Sequence, residues 1–281
     1  MIVELFAATL RLATPVVLAA LGGVLSERAG VVNIALESKL LGAAFAAVAV
    51  TGATHSPWAG LLAGILTGAA LGATHALLTQ KLKVEPILSG VALNLIALGA
   101  TSYGVRLAGA SGMEAGATLP AELLVGLAAA LTGALWLVLY RTPLGLRLRA
   151  CGERPQAVIA AGVDVWKLRL GAVTCAGALG GLGGAGLALV GLGTFTEGMS
   201  AGRGFLALAA VILGRWHPLG AVSAALLFGL GDALQLQLQT QKVAVPSDLL
   251  QLLPYVLSLG ALALSRSRSR APAALGQTQG V

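Results

Sequence analysis

LFAATLRLATPVVLAALGGVLSERAGVVNIALESKLLGA, residues 5–43, decides the class of fold. Its first part, Leu5 to Leu25, is an apolar run of the length that crosses a bilayer core, about 17–25 residues. It is too long for a signal-peptide core, carries Arg11 and has no basic stretch before it, so it reads as part of the mature protein. From Ser26 onward, Glu27, Arg28, Asn33, Glu37 and Lys39 stand between this run and the next apolar one. A chain this greasy sheds such residues unless it hides or uses them.

The rest of the sequence follows the first run. Hydrophobic residues make up 57% and charged residues 10% of the 281, against about 25% charged in soluble domains. The class is therefore all-α, a polytopic helical membrane protein. Further apolar runs cover 36–54, 58–78, 87–107, 121–140, 170–192, 219–238 and, a little short, 249–264. One piece, 204–214, reaches only about half the core thickness at ~1.5 Å per residue. The chain reads as a single transmembrane domain over 1–264, followed by a polar, disordered tail at 265–281.

The net charge of +7 locates the cytoplasmic side. If 204–214 crosses, 14 of the 18 basic residues fall on one face, including the loop 141–169 and the arginines at 266, 268 and 270. If it only dips in and returns, the basic tail lies outside and the positive-inside rule is broken. The sequence thus predicts about nine crossings, N-terminus out and C-terminus in, at the cytoplasmic (inner) membrane. Membrane orientation accounts for the charge, so no nucleic acid is called for. Cys151 and Cys175 make no disulfide framework, and His55, His75 and His217 make no metal motif. No lysine follows a glycine, so there is no P-loop, and no catalytic pattern stands out.

Glycine is spaced. Gly60, Gly64, Gly68 and Gly72 form a ridge at every fourth residue, which suits close helix packing in lipid. The denser cluster GALGGLGGAG (177–186) suits the same role, or a hinge or backbone-lined path. In RTPLGLRLRACGERPQAVIAAGVDVWKLRL (141–170), Pro155 suits a first helical turn and Gly162 the position after a helix end. The short helix between them has apolar residues with nothing obvious to bury against. It reads as a docking element or as a helix lying on lipid headgroups.

Arg149, Ala150, Gly152, Glu153, Ala160, Ala161 and Gly162 resemble the coupling segment of ABC-importer permeases of the ribose and branched-chain amino-acid class. LSERAGVVNIALE (25–37) and GTFTEGMSAGRGFLALAAVILGRWHPLGA (193–221) are similar to signatures of the basic-membrane-protein-dependent nucleoside permeases within it. Ala35 and Ser38, followed by Lys39, stand where relatives usually carry glycine. The resemblance implies a permease moving a nucleoside or related small solute, not an enzyme. It implies a second, non-identical permease subunit, ABC ATPase subunits that bind ATP and Mg, and an extracellular solute-binding lipoprotein; this chain carries no cofactor itself. The coupling residues would be Arg149, Gly152, Glu153, Arg154, Val158, Ile159, Ala160, Ala161 and Gly162.

On this reading the stretch SERAGVVN breaks two helices, with Ser26, Gly30 and Asn33 as caps or turns. Asn33 and Glu37, four apart, would share a face of the second helix. They form either a polar wall of the translocation path or a cytoplasmic turn with Glu27 balancing Arg28 and Asn33 as cap. In GTFTEGMSAGRG (193–204), Thr194, Phe195, Thr196 and Glu197 have the chemistry for a base and ribose hydroxyls; a Glu197–Arg203 pair is the alternative. Asn94 is the best midplane candidate, and Asp232 also needs a partner. An ion-coupled secondary transporter would need deep acids and inverted repeats, and a membrane-embedded enzyme would need a catalytic dyad.

Overall fold

The computed structural model describes residues 2–108, 112–191, 193–241 and 271–277, with isolated positions 252, 256, 257, 260 and 263. Among these the chain is helical apart from one small ribbon. The helices are α1 (Ile2–Arg28), α2 (Leu36–Thr54), α3 (Pro57–Ala76, running on into a π-helical turn Leu77–Lys81), α4 (Pro86–Leu107) and α5 (Ala121–Arg141). Then come α6 (Pro143–Glu153), α7 (Pro155–Ala160), α8 (Val165–Leu189), α9 (Arg203–Leu213) and α10 (Pro218–Thr240). Seven of them are long and apolar enough to cross a membrane: α1, α2, α3 with its π turn, α4, α5, α8 and α10. They coincide with the first seven apolar runs. The expected span 249–264 lies outside the continuously described residues.

Local chemistry sets the helix ends. Proline opens α3, α4, α6, α7 and α10, where its missing N–H costs nothing. Ser56, Glu85, Thr142 and Asp164 accept from the N–H groups of Ala59, Leu88, Gly145 and Lys167 at the starts of α3, α4, α6 and α8. That bond from Lys167 holds the exposed Asp164 carboxyl below its usual range. α1 ends in a Schellman turn: the Gly30 N–H reaches the Glu27 carbonyl and the Val31 N–H reaches the Ser26 carbonyl. Gly30 takes φ +94° there, as that turn requires.

α8 is the most buried span and packs against α1, α2 and α3. Its glycines explain how one helix can touch three. Gly177 and Gly181 lie backbone to backbone against Gly68, Gly72 and Gly64 of α3. Gly184 meets the Leu40 carbonyl of α2, and Gly183 meets Pro15 of α1. The ridge on α3 and the cluster on α8 are thus the two halves of one contact, and close packing accounts for both. α10 lies along α1 with Gly229 against Ala13, while α4 and α5 sit at the periphery with exposed apolar faces.

The bundle has two distinct ends. Arg28, the π turn, the stretch 141–169 and Arg215 lie at one end, which is strongly basic. The other end carries the ribbon, β1 (Gly112–Glu114) paired antiparallel with β2 (Thr194–Thr196). Between β2 and Arg215 the chain passes from the ribbon end to the basic end with only the 11 residues of α9 in helix.

Two features differ from the sequence reading of the basic end. The loop 141–169 contains a second helix, α6, which Thr142 caps and Pro143 opens, and which buries Leu148 and Cys151. Residues 271–277, placed by composition in a disordered tail, form a turn with Pro272 and Ala274 buried. Its Ala274 and Gly276 N–H groups reach the Gly152 and Gly30 carbonyls. Composition is blind to such bonds, because the backbone makes them. This turn lies at the opposite end from Thr240, since α10 begins beside Arg28 and its 23 residues extend about 34 Å.

Candidate functional site

The break between α1 and α2 is tied by side chains from four other elements. Glu27, fully buried, accepts from the indole N–H of Trp216 and from the Asn33 N–H at 3.4 Å. The Asn33 amide donates to Ser26 Oγ at 3.0 Å, and its oxygen takes the ammonium of Lys39. Arg28 turns away from Glu27 and donates to the Trp216 carbonyl at 2.7 Å. Nearby, buried His75 joins Ser89 Oγ and the Val32 carbonyl, both at 2.9 Å. Unpaired, these groups would be costly at such depth; here each has a partner.

Asn94 and Glu37 serve the same break. Asn94 donates to the Ile34 carbonyl at 3.0 Å and accepts from the Ser38 N–H at 2.9 Å, capping α2 from α4. Gly90, one turn earlier, lets α4 approach Ile34 and Ala35 closely enough for this. Glu37 caps α9: Oε1 accepts from Ser200 Oγ at 2.6 Å and the Gly202 N–H at 3.0 Å, and Oε2 from the Gly204 N–H at 2.6 Å. A carboxylate at a helix N-terminus satisfies the free amides and the dipole together. Gly204 leaves room for it, since a Cβ there would strike the Glu37 backbone.

The ribbon end is built differently. Phe195 is fully buried and stands edge-on to Phe45, ring centres 5.4 Å apart. Gly104 makes room for the Phe45 ring. Thr194 is half-buried, whereas Thr196 and Glu197 are exposed. Glu197 pairs with Arg106 of α4 at 3.7 Å. Arg203 instead donates to the Met199 and Ser200 carbonyls and lies within electrostatic reach of Asp232.

In the third region, Gly162 takes φ +75° just after α7, as a helix end with glycine requires. Val158 is buried with Cys151 and Val165. Ile159, Ala160, Ala161, Glu153 and Arg154 are exposed. Arg149 stacks over the Tyr140 ring at 4.9 Å. Gly152 is buried against the Arg28 carbonyl, where a Cβ would collide. Burial pushes the Cys151 thiol up, and the His217 imidazole is pushed down by burial and by the charge of Arg28.

Several expectations are revised by this geometry. Asn33 and Glu37 share no helix face, because α2 begins only at Leu36, and Asn33 caps nothing. Glu27 does not balance Arg28; Trp216, 189 residues away, takes its carboxylate. Glu197 finds Arg106, not Arg203. Phe195 offers no open face for stacking, and Val158 belongs to the chain's own core. Asn33, Glu37 and Asn94 are brought together through the 33–38 backbone, and no hydrogen bond or ring contact among the described residues joins them to Thr194, Phe195, Thr196 or Glu197. Sequence reasoning missed Trp216, Ser200 and Arg169. The signal for Arg169 was a charge placed at the start of an apolar run.

Known proteins resemble this chain along nearly its whole length. The family of branched-chain amino acid transport system permease components matches residues 5–262. The guanosine ABC transporter permease protein of Bacillus subtilis is 37% identical over 96% of this chain and 94% of its own. The nucleoside ABC transporter permease protein of Lactococcus lactis is 36% identical over 94% of this chain and 92% of its own. A protein of Haloferax volcanii, provisionally named as a glucose ABC transporter permease, is 37% identical over 85% of this chain and 78% of its own. No solved structure matches. The chain belongs to the permease-component family: it is a multi-pass membrane protein and a transport subunit, not an enzyme.

Proposed function

We propose that this permease component imports nucleosides across the cytoplasmic membrane, driven by ATP and Mg bound on separate ATPase subunits. The observation that carries the substrate class is likeness along almost the whole chain to permeases named for guanosine and for nucleosides. A second, non-identical permease and an extracellular solute-binding lipoprotein complete the transporter. The N-terminus is outside, the C-terminus inside, and the chain makes nine crossings. The path from β2 through α9 to Arg215, and the positions of Thr240 and 271–277 at opposite ends, support that count. Thr196 and Glu197 meet the incoming solute or its carrier at the outer face. Thr194, Phe195, Asn33, Glu37 and Asn94 support the wall behind it. At the inner face Ile159, Ala160 and Ala161 dock on the ATPase, with Arg154 and Glu153 at the rim. Val158, Gly152, Gly162 and Arg149 hold that surface in shape.

The test is uptake of labelled guanosine by cells carrying the chain with its partner subunits. Uptake should be competed by other nucleosides and should stop when the partner ATPase loses its P-loop lysine. Competition by glucose or branched-chain amino acids, with none by nucleosides, would overturn the substrate class. Uptake that persists without the ATPase and follows an ion gradient would favour a secondary transporter.

A further inference from the structure

Arg169 stands in the first turns of α8, fully buried, at the basic end. Its Nε donates to the Ala29 carbonyl at 3.0 Å. Its Nη1 donates to Gln80 Oε1 at 3.0 Å and to the Gln277 carbonyl at 3.1 Å, and its Nη2 to the Cys151 carbonyl at 3.3 Å. The four acceptors come from four pieces of chain: the end of α1, the π turn, α6 and the C-terminal turn. No carboxylate is among them. A buried guanidinium without a counter-ion is costly unless its donors are used, and the planar fork uses them where a lysine could not.

The turn 271–277 closes the same joint from its other side. The Ala274 N–H donates to the Gly152 carbonyl at 2.8 Å and the Gly276 N–H to the Gly30 carbonyl at 3.0 Å. The Ala273 N–H reaches Glu153 Oε2 at 3.2 Å. Gly276 takes φ +78° to do this. The turn therefore grips both the end of α6 and the glycine that ends α1. Three residues beyond Gly30 begins the network of Asn33, Glu27 and Trp216. Glu37, four further on, caps α9.

We propose that Arg169 and the turn 271–277 form one clamp fixing the end of α6 to the break between α1 and α2, with Arg169 as its positioning residue. A push on the coupling segment then moves the start of α2 and the cap of α9 instead of being lost in the loop. This rests on the reading of 141–169 as the coupling segment. The route from Gly152 to the start of α9 is contiguous through hydrogen bonds and the 30–37 backbone.

The experiment uses the whole transporter in proteoliposomes and reads transport per ATP hydrolysed, alongside recovery of the ATPase with the permease. The variants are a chain ending at Arg270, Arg169→Lys, and both together. Each single change should leave assembly and basal ATP hydrolysis unchanged and lower transport per ATP about tenfold, within the usual range of coupling between sites. The double variant should fall no further than the worse single one, because the two parts share the Arg169–Gln277 bond. Unchanged transport per ATP, or losses that multiply, would overturn the clamp. So would loss of the ATPase on truncation, which makes the turn a docking surface, or failure to insert, which makes it a folding element. Ala160→Asp tests the underlying reading separately. If that variant keeps both ATPase and transport, the coupling segment is misassigned, whatever the clamp variants do.

Discussion

The break between α1 and α2 and the ribbon spend their polar residues in opposite ways. Around the break between α1 and α2, from the basic end into the bundle, Glu27, Asn33, Glu37, Lys39, Asn94 and Arg169 are all bonded within the chain, mostly to backbone or to residues far away in sequence. At the ribbon end Glu197 and Arg106 face each other at 3.7 Å with side chains 42% and 76% exposed. The first arrangement can carry force, since every group is held. The second can exchange partners, since water already competes for both. Polar residues in an apolar chain are therefore not one signal: buried and saturated, they build a joint, and exposed, they are open to a solute.

The sharpest way to break this comparison is Glu37→Leu. It removes three acceptor contacts from the start of α9 and leaves two backbone N–H groups without their partner. Hydrogen bonds to a charged group are worth about 1.5–3 kcal/mol each, so a loss of roughly 3 kcal/mol or more is expected. Thermal unfolding of the detergent-solubilised permease should show a large drop, with little assembled protein left in the membrane. Normal unfolding with abolished uptake would instead make Glu37 a solute ligand, and the contrast between the break and the ribbon would fail.

The sequence made the frame legible because span length and glycine spacing are local properties. Seven apolar runs became seven long helices, Gly30 and Gly162 ended theirs, and the ridge from Gly60 to Gly72 packed closely as expected. The joint was not legible for the opposite reason. Glu27 sits beside Arg28 in sequence, yet Trp216 takes its carboxylate; Glu197 lies six residues from Arg203, yet pairs with Arg106. Nearness in sequence suggests local pairs, whereas topology supplies distant ones. The cap on α2 comes from Asn94, 56 residues beyond Ser38, and no local capping pattern encodes it. The ribbon strands, three residues each, are too short to show an alternating pattern.

A middle-sized effect is expected from Asn94→Leu. Two hydrogen bonds to the break are lost, at about 0.5–1.5 kcal/mol each, so stability should fall by roughly 1–3 kcal/mol. Uptake per assembled permease should change much less than the amount assembled. Quantifying permease in the membrane beside initial uptake rates separates the two. An uptake defect at full assembly would return Asn94 to the solute path and shift the boundary between joint and path toward the bundle centre.

The smallest effect on stability, and the most telling on function, belongs to the exposed pair. Exposed ion pairs contribute about 0–1 kcal/mol and are weakened by salt. Glu197→Gln and Arg106→Gln should therefore leave thermal unfolding within about 0.5 kcal/mol of the parent. If the two residues matter only to each other, the exchanged pair Glu197→Arg with Arg106→Glu restores the parent uptake rate, because the attraction survives reversal. If Glu197 meets the solute or its carrier protein, the exchange does not restore it: the acid now comes from α4, and a cation stands next to Thr196. We expect the second outcome, with uptake lowered at limiting solute in both Glu197→Gln and the exchanged pair and less affected when solute is in excess. Full recovery in the exchanged pair would make Glu197 a structural group like Glu37, and the break and the ribbon would differ in exposure alone.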